Sequence, residues 1–400
     1  MHKRNILLSA TACIALASQV NALFPVMGGE VGVSLNTKYG YSSNINANSG
    51  EEGDDILTIT PAVQFIRRQG IVTLDVGAGV SIIRYDKTGN SRSVVTPTIL
   101  SPFGFVITPQ KGNNSVDPFF YLKLAGPNGV TSPLTAQLLF DFRRVTEAND
   151  LVGELTSSYN YNVVADLNYK LSDRFSIGVS PSFQYQDYRT SGFSDVLSAS
   201  LATDLQYNYS ELLSFDAGYR FRYEYTPSSR NGPTYESMDH TLFAGAFGVI
   251  APKVTGNAQV GLTYRDWIDP NTESNFVYPY VNIGLEWAYD DKTTFGLNAG
   301  VDLGQSPGNQ GLETAGAGIT ASHEFTDQWS ANAAFDYTHT FFTGVTNRRD
   351  DSFIFGGGLL YKINEWANAG LNGSYQFNDS DVNTFHYNSW QVFGNVGVHF

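Results

Sequence analysis

The chain has 400 residues, of which 42% are hydrophobic, 14% aromatic and only 16% charged, where a soluble domain carries about 25% charged residues. Its formal net charge of −14 argues against nucleic acid as a partner. So little charge beside so many rings excludes a fold whose whole surface faces water, and the abundance of Phe, Tyr and Gly favours strands over helices.

The first 22 residues read as a secretory leader. Lys3 and Arg4 form a positive start, residues 5–18 an apolar core, and Val20-Asn21-Ala22 a cleavage site, so processing is expected after Ala22. Cleavage removes Cys13, the sole cysteine, and two cations, leaving −14 − 2 = −16. No later apolar run reaches the roughly 18 residues of a transmembrane helix. A closed strand barrel is then the one remaining way across a membrane.

From there the chain alternates with a period of two. Predicted strands cover 30–42, 54–68, 70–85, 116–126, 132–146, 153–171, 174–188, 194–210 and 212–226. They continue over 234–251, 253–268, 274–290, 293–305, 312–326, 328–342, 350–364, 366–378 and 384–400. In "LLSFDAGYRFRYEYT", Phe215, Ala217, Tyr219, Phe221, Tyr223 and Tyr225 make one column, while Asp216, Arg220, Arg222 and Glu224 make the other. Leu197, Ala199, Leu201, Leu205 and Tyr207 oppose Ser198, Ser200, Asp204 and Gln206 in the same way. Tyr161, Val163, Ala165 and Leu167 oppose Asn162 and Asp166.

The connections alternate too. Tight ones such as "LSDR", "YSEL" and "YDDK" take turns with longer ones such as "SNINANSGEEG", "PSSRNGP" and "QSPGNQG". Outer-membrane barrels have short turns at one end and long loops at the other. The apolar, Pro-rich stretch 86–116 is expected to be a long extracellular loop; a hairpin, a segment in the barrel mouth and two further strands are the alternatives. The expected fold is all-β: a transmembrane up-and-down antiparallel barrel of about 18 strands, within a range of 16 to 20. Residues 1–22 are the leader and 23–400 a single barrel with both ends on the periplasmic side. Trp287, Trp329 and Trp366 lie beside tight turns, as rings at a membrane interface do.

The last strand ends "QVFGNVGVHF", with Val392, Val396, Val398 and Phe400 on one face. This is similar to the terminal signal that the barrel assembly machinery recognises in outer-membrane barrels. The oily columns should therefore face lipid and lipopolysaccharide, and the polar columns the interior.

Little here suggests catalysis. His240, His323, His339, His386 and His399 form no metal-binding spacing, and no nucleophile elbow is present. Asp239, His240 and His339 read as polar strand-end residues. The acidic runs Glu51, Glu52, Asp54, Asp55 and Asp379, Asp381 read as solvated loop charge. No enzyme activity, cofactor or metal is expected. The candidate pore-lining residues are Asp141, Arg143, Asp166, Asp204, Asp216, Arg220, Arg222 and Glu224. A three-residue turn at 210–212 sets Arg220 opposite Ala202 and Arg222 opposite Ser200. These charges either reach into a channel as a filter or pair across strands along the wall.

The stretch Tyr39–Lys87 carries Tyr41-Ser42-Ser43-Asn44-Ile45, then Asp54-Asp55-Ile56, Thr60-Pro61, Arg67-Arg68 and Arg84-Tyr85. It resembles the putative beta-barrel porin family of the second type. The resemblance implies a bacterial outer-membrane barrel, in a family often linked to polysaccharide export or exosortase systems. Two functions follow as expectations: passive passage of ions and small hydrophilic solutes, or the barrel component of a surface polysaccharide export system with periplasmic partners.

Overall fold

A computed structural model describes residues 24–26, 28–68, 70–89, 92–97, 105–110, 112–127, 132–229, 232–268, 275–344 and 347–400. The expected leader lies outside the described residues. Eighteen strands form the wall: β1 Gly29–Ser42, β2 Asp54–Arg67, β3 Thr73–Tyr85, β4 Ser115–Gly126, β5 Leu134–Asn149, β6 Glu154–Lys170, β7 Phe175–Tyr188, β8 Val196–Asn208 and β9 Leu213–Thr226. The second half is β10 Tyr235–Ala251, β11 Val254–Trp267, β12 Phe276–Ala288, β13 Thr293–Ser306, β14 Gln310–Glu324, β15 Trp329–Thr343, β16 Arg348–Asn364, β17 Ala367–Ser380 and β18 Tyr387–His399. Each pairs antiparallel with the next, and β1 pairs with β18, from Ser34↔His399 to Ser42↔Gln391. The sheet is thereby a closed barrel with the expected number of wall strands.

Two further pieces lie outside this count. Phe24–Val26 folds back on β1, with Phe24 opposite Val31. Arg92–Pro97 and Phe105–Gln110 pair with each other as a separate hairpin within the long 86–116 connection. No helix of the described residues is long and apolar enough to cross a membrane.

The alternation sets the faces. Leu35, Tyr39, Phe215, Leu242, Val260, Ile319, Leu371 and Val396 point outward and are exposed, as a lipid-facing surface requires. Rings belt the short-turn end: Trp287 lies 5.4 Å from Phe295, Trp329 4.7 Å from Tyr361, and Trp366 5.9 Å from Phe400. From Trp329 to His339 along β15, at about 3.3 Å per residue and a tilt of about 40°, the wall rises roughly 25 Å. That is the height of a bilayer's apolar band, and above it the outward face turns polar: His339 Nδ1 lies 2.9 Å from Asp351, and His386 Nδ1 lies 3.1 Å from Asp379.

The interior face of β13–β18 follows a different rule. Gly358, Gly370 and Gly397 sit where a Cβ would collide with the amides of Asn372, Asn395 and Asn368 respectively, and Gly318 where it would meet the Asp336 carboxylate and the Asn298 amide. Glycine on one strand makes room for an amide from its neighbour. Asn372 donates to Asn395 at 2.9 Å.

Candidate functional site

The wall is not ideal at the long-loop end. β12 and β13 pair only from Val281↔Val301 to Ala288↔Thr294. Above that level Phe276–Tyr280 of β12 keeps β11 as its ladder partner. Pro279, which cannot donate to a ladder, lies just past the last pair. The freed end of β13 turns inward with the start of β14. A hairpin centred on Pro307, Gly308 and Asn309 thus crosses the mouth.

Its contacts are polar and reach strands far away in the sheet. Thr226 donates to Gln305 at 2.7 Å, and Gln305 to Ser237 at 3.3 Å. Arg265 donates to the Gly304 carbonyl at 3.2 Å. The Ser194 N–H reaches the Pro307 carbonyl at 3.0 Å. Asn309 holds the tip. Its φ of 56° is a left-handed conformation that Asn tolerates better than most residues. Its amide donates to the Pro227 and Pro233 carbonyls at 2.7 and 2.9 Å, and its side-chain oxygen accepts from Ser194 at 3.0 Å.

A second tip leans in from the other side. β5 runs on to Asn149, but its pairing with β4 stops at Phe119↔Arg143, and β6 pairs with β7 only up to Ser158. The 150–153 tip then docks on distant elements. Asn48 donates to the Gly153 carbonyl at 2.7 Å, and Arg348 to the Leu151 carbonyl at 3.0 Å. Arg348 is itself clamped between the rings of Phe342 and Phe385, each 3.6 Å from its guanidinium. Val152 and Gly308 bring the two tips together.

Beneath the β13–β14 hairpin lies a buried charge cluster. Asp239 of β10 accepts from Arg222 of β9 at 2.9 and 2.7 Å and from Arg265 of β11 at 2.7 and 2.8 Å. Arg265 also donates to Glu224 at 2.6 Å. The Asp239 and Arg265 side chains are 0% and 1% exposed. Asp302, at the root of the hairpin, lies 3.2 Å from Arg222 and 3.5 Å from Arg220. Arg220 stacks on Tyr280, 4.8 Å from the ring centre.

Register places the sequence-derived candidates plainly. Arg220 is opposite Ala202 and Arg222 opposite Ser200. Rather than extending freely, both turn toward Asp302, and Arg222 is buried with Glu224 in the cluster. Asp141 and Arg143 grip each other on one strand, at 2.7 and 2.8 Å. Asp166 accepts from Ser180 at 2.7 Å, Asp204 from Gln206 at 2.7 Å, and Asp216 from Gln259. These five belong to the interior wall away from the cluster. Asp239 is a cluster member, while His240 points outward, 2.7 Å from the Tyr219 hydroxyl. The two neighbours in sequence therefore share no site. Arg265 and Asp302 were not among the sequence-derived candidates. Among the described residues no group of three or more His, Cys, Asp or Glu gathers to hold a metal.

The chain's C-terminal part matches the family described as Putative beta-barrel porin 2, over residues 217–400. That part of the chain is similar to this family. The match opens inside β9 and covers β10 to β18, which supply Arg220, Arg222, Glu224, Asp239, Arg265 and Asp302. Tyr39–Lys87, which carries the sequence resemblance, lies outside it. No curated protein matches the chain. Similar solved structures include the FrpB iron transporter from Neisseria meningitidis, at 8% identity, with 92% of this chain and 81% of that one covered and a TM-score of 0.48. OccAB4 of Acinetobacter baumannii is 11% identical over 93% of this chain and 98% of its own, with a TM-score of 0.47. OccK7 (OpdD) of Pseudomonas aeruginosa is 10% identical over 94% and 99%, with a TM-score of 0.48. The described residues form a closed porin-like barrel, and its inward-folded tips stand at the mouth with the long loops.

Proposed function

We propose that this porin-like barrel is a channel for passive passage of ions and small hydrophilic solutes, narrowed at its outer mouth by the β13–β14 hairpin and the 150–153 tip. The observation that carries the reading is the way the hairpin is held. It crosses the lumen on side-chain hydrogen bonds and the Asp302 ion pairs, not on a continuous ladder with β12. Such contacts exchange readily with water, since a net hydrogen bond contributes only about 0.5–1.5 kcal/mol. The remaining interior is polar, as an aqueous path requires. Single-channel recording in a planar bilayer tests it. Wild type should give conductance steps, and Thr226→Cys with Gln305→Cys, whose native side chains meet at 2.7 Å, should lose them when oxidised and regain them on reduction. Equal conductance in the oxidised and reduced forms would remove the hairpin from the path.

A second reading, the barrel of a surface polysaccharide export system, is favoured by the amide- and glycine-rich rows of the β13–β18 wall. Amides exchange hydrogen bonds with hydroxyl-bearing chains without strong binding. It requires periplasmic partners, and a deletion strain that keeps its surface polymer but loses solute uptake would dismiss it.

A further inference from the structure

We propose that Arg220 and Arg222 form a binding site for carboxylate-bearing solutes, which the chain's own Asp302 occupies in this structure. The proposal rests on the reading of the barrel as a solute channel and names the solute class.

The cluster holds three guanidiniums, Arg220, Arg222 and Arg265, against three carboxylates, Glu224, Asp239 and Asp302. It balances only while Asp302 is in place. Moving the hairpin out leaves three cations and two anions in a confined interior, where an unpaired charge is costly. An incoming anion restores the balance.

The members are unequal in access. Asp239 and Arg265 are sealed, whereas the Asp302 side chain is 42% exposed and Arg220 is 21% exposed. The one carboxylate that open space can replace is thus the one on the movable hairpin.

Arg220 also has spare capacity. Its single ion pair, to Asp302, is long at 3.5 Å, and its buried Nε has no hydrogen-bond partner. Stacking on Tyr280 fixes the guanidinium plane and leaves its edge as the recognition surface. A fixed guanidinium edge held by one long contact suits the two oxygens of a carboxylate. Asp302, tied to the strand, reaches it with only one long contact. A free solute can align better, and taking Arg220 and Arg222 from Asp302 would loosen the hairpin's root. Ligand recognition and opening of the mouth are then one event.

The test is equilibrium dialysis of labelled succinate against the refolded barrel in detergent at low salt. Wild type should bind, with unlabelled succinate competing and uncharged succinamide not. Arg220→Gln should weaken binding at least about tenfold, the loss of a bidentate charged contact. Asp302→Asn should tighten it about tenfold or more, because a tethered competitor acting at millimolar effective concentration is gone. A misfolded variant would lose binding, so a gain has no trivial cause. Succinate binding that is absent, unchanged in Arg220→Gln, or no tighter in Asp302→Asn overturns the proposal. Binding as described in a protein that never conducts would instead overturn the channel reading and leave the site.

Discussion

Replacing Asp239 by Ala probes a fully buried charge. The carboxylate is 0% exposed and receives four hydrogen bonds, two from each of Arg222 and Arg265. Charged hydrogen bonds contribute about 1.5–3 kcal/mol each, but a plain sum overstates the loss. Arg265 keeps Glu224 and the Gly304 carbonyl, and Arg222 keeps Asp302. What remains is two guanidiniums sharing too little negative charge in a site closed to solvent. Breaking a buried pair in this way costs about 3–5 kcal/mol, and that is the expected destabilisation. Urea titration of the barrel refolded in lipid vesicles measures it. Trp267 is a built-in reporter: it is buried, packs edge-on against Tyr235, and lies 5.1 Å from the Arg265 guanidinium. A loss below about 1 kcal/mol, the scale of an exposed pair, would mean that water reaches the guanidiniums and that the hairpin does not seal them.

Other outcomes follow from the same contacts. Arg222→Ala should shift the reversal potential toward cation preference, because it removes the cation that pairs with the partly exposed Asp302 at 3.2 Å; measurement in a salt gradient reads the sign. Phe400→Ala should lower the folded fraction on a heat-modifiability gel, since Phe400 stacks on Trp366 and exchanges backbone hydrogen bonds with Val33 at the closing seam. Gly40→Ala should destabilise that seam by roughly 1–3 kcal/mol, the scale of overpacking, because a Cβ there would run into the Val392 carbonyl and Phe393; a denaturation midpoint equal to wild type would contradict it. Protein purified from outer membranes should begin at Leu23 by N-terminal sequencing, the residue after the expected cleavage site.

The wall was legible because one rule governs it. Lipid outside and water inside force a strict period of two, and every wall strand shows it within a few residues of its ends. Even the register of β8 against β9 could be counted from the tight turn, which sets Arg220 and Arg222 against Ala202 and Ser200. The cluster was not legible, for two physical reasons. The first is a bulge. At the turn Ala251 pairs with Val254, but the register shifts between Ala251 and Val249, so that Asp239 meets Arg265. Counting straight from the turn sets Asp239 against Asp266, an outward residue, and hides the row Arg222–Asp239–Arg265. The second is that β13 leaves the wall without a change of pattern. Leu297, Ala299, Val301 and Leu303 keep the outward column, yet Leu303 is buried and Gln305 turns to meet Thr226 and Ser237 inside. Alternation reports which way a side chain points relative to its strand, not where the strand goes. The departure shows in the pairing instead: a proline at position 279, and beyond it a strand end exchanging its ladder for side-chain bonds. The inward hairpin, which period two could not reveal, is therefore held by side-chain contacts where the wall is held by a ladder.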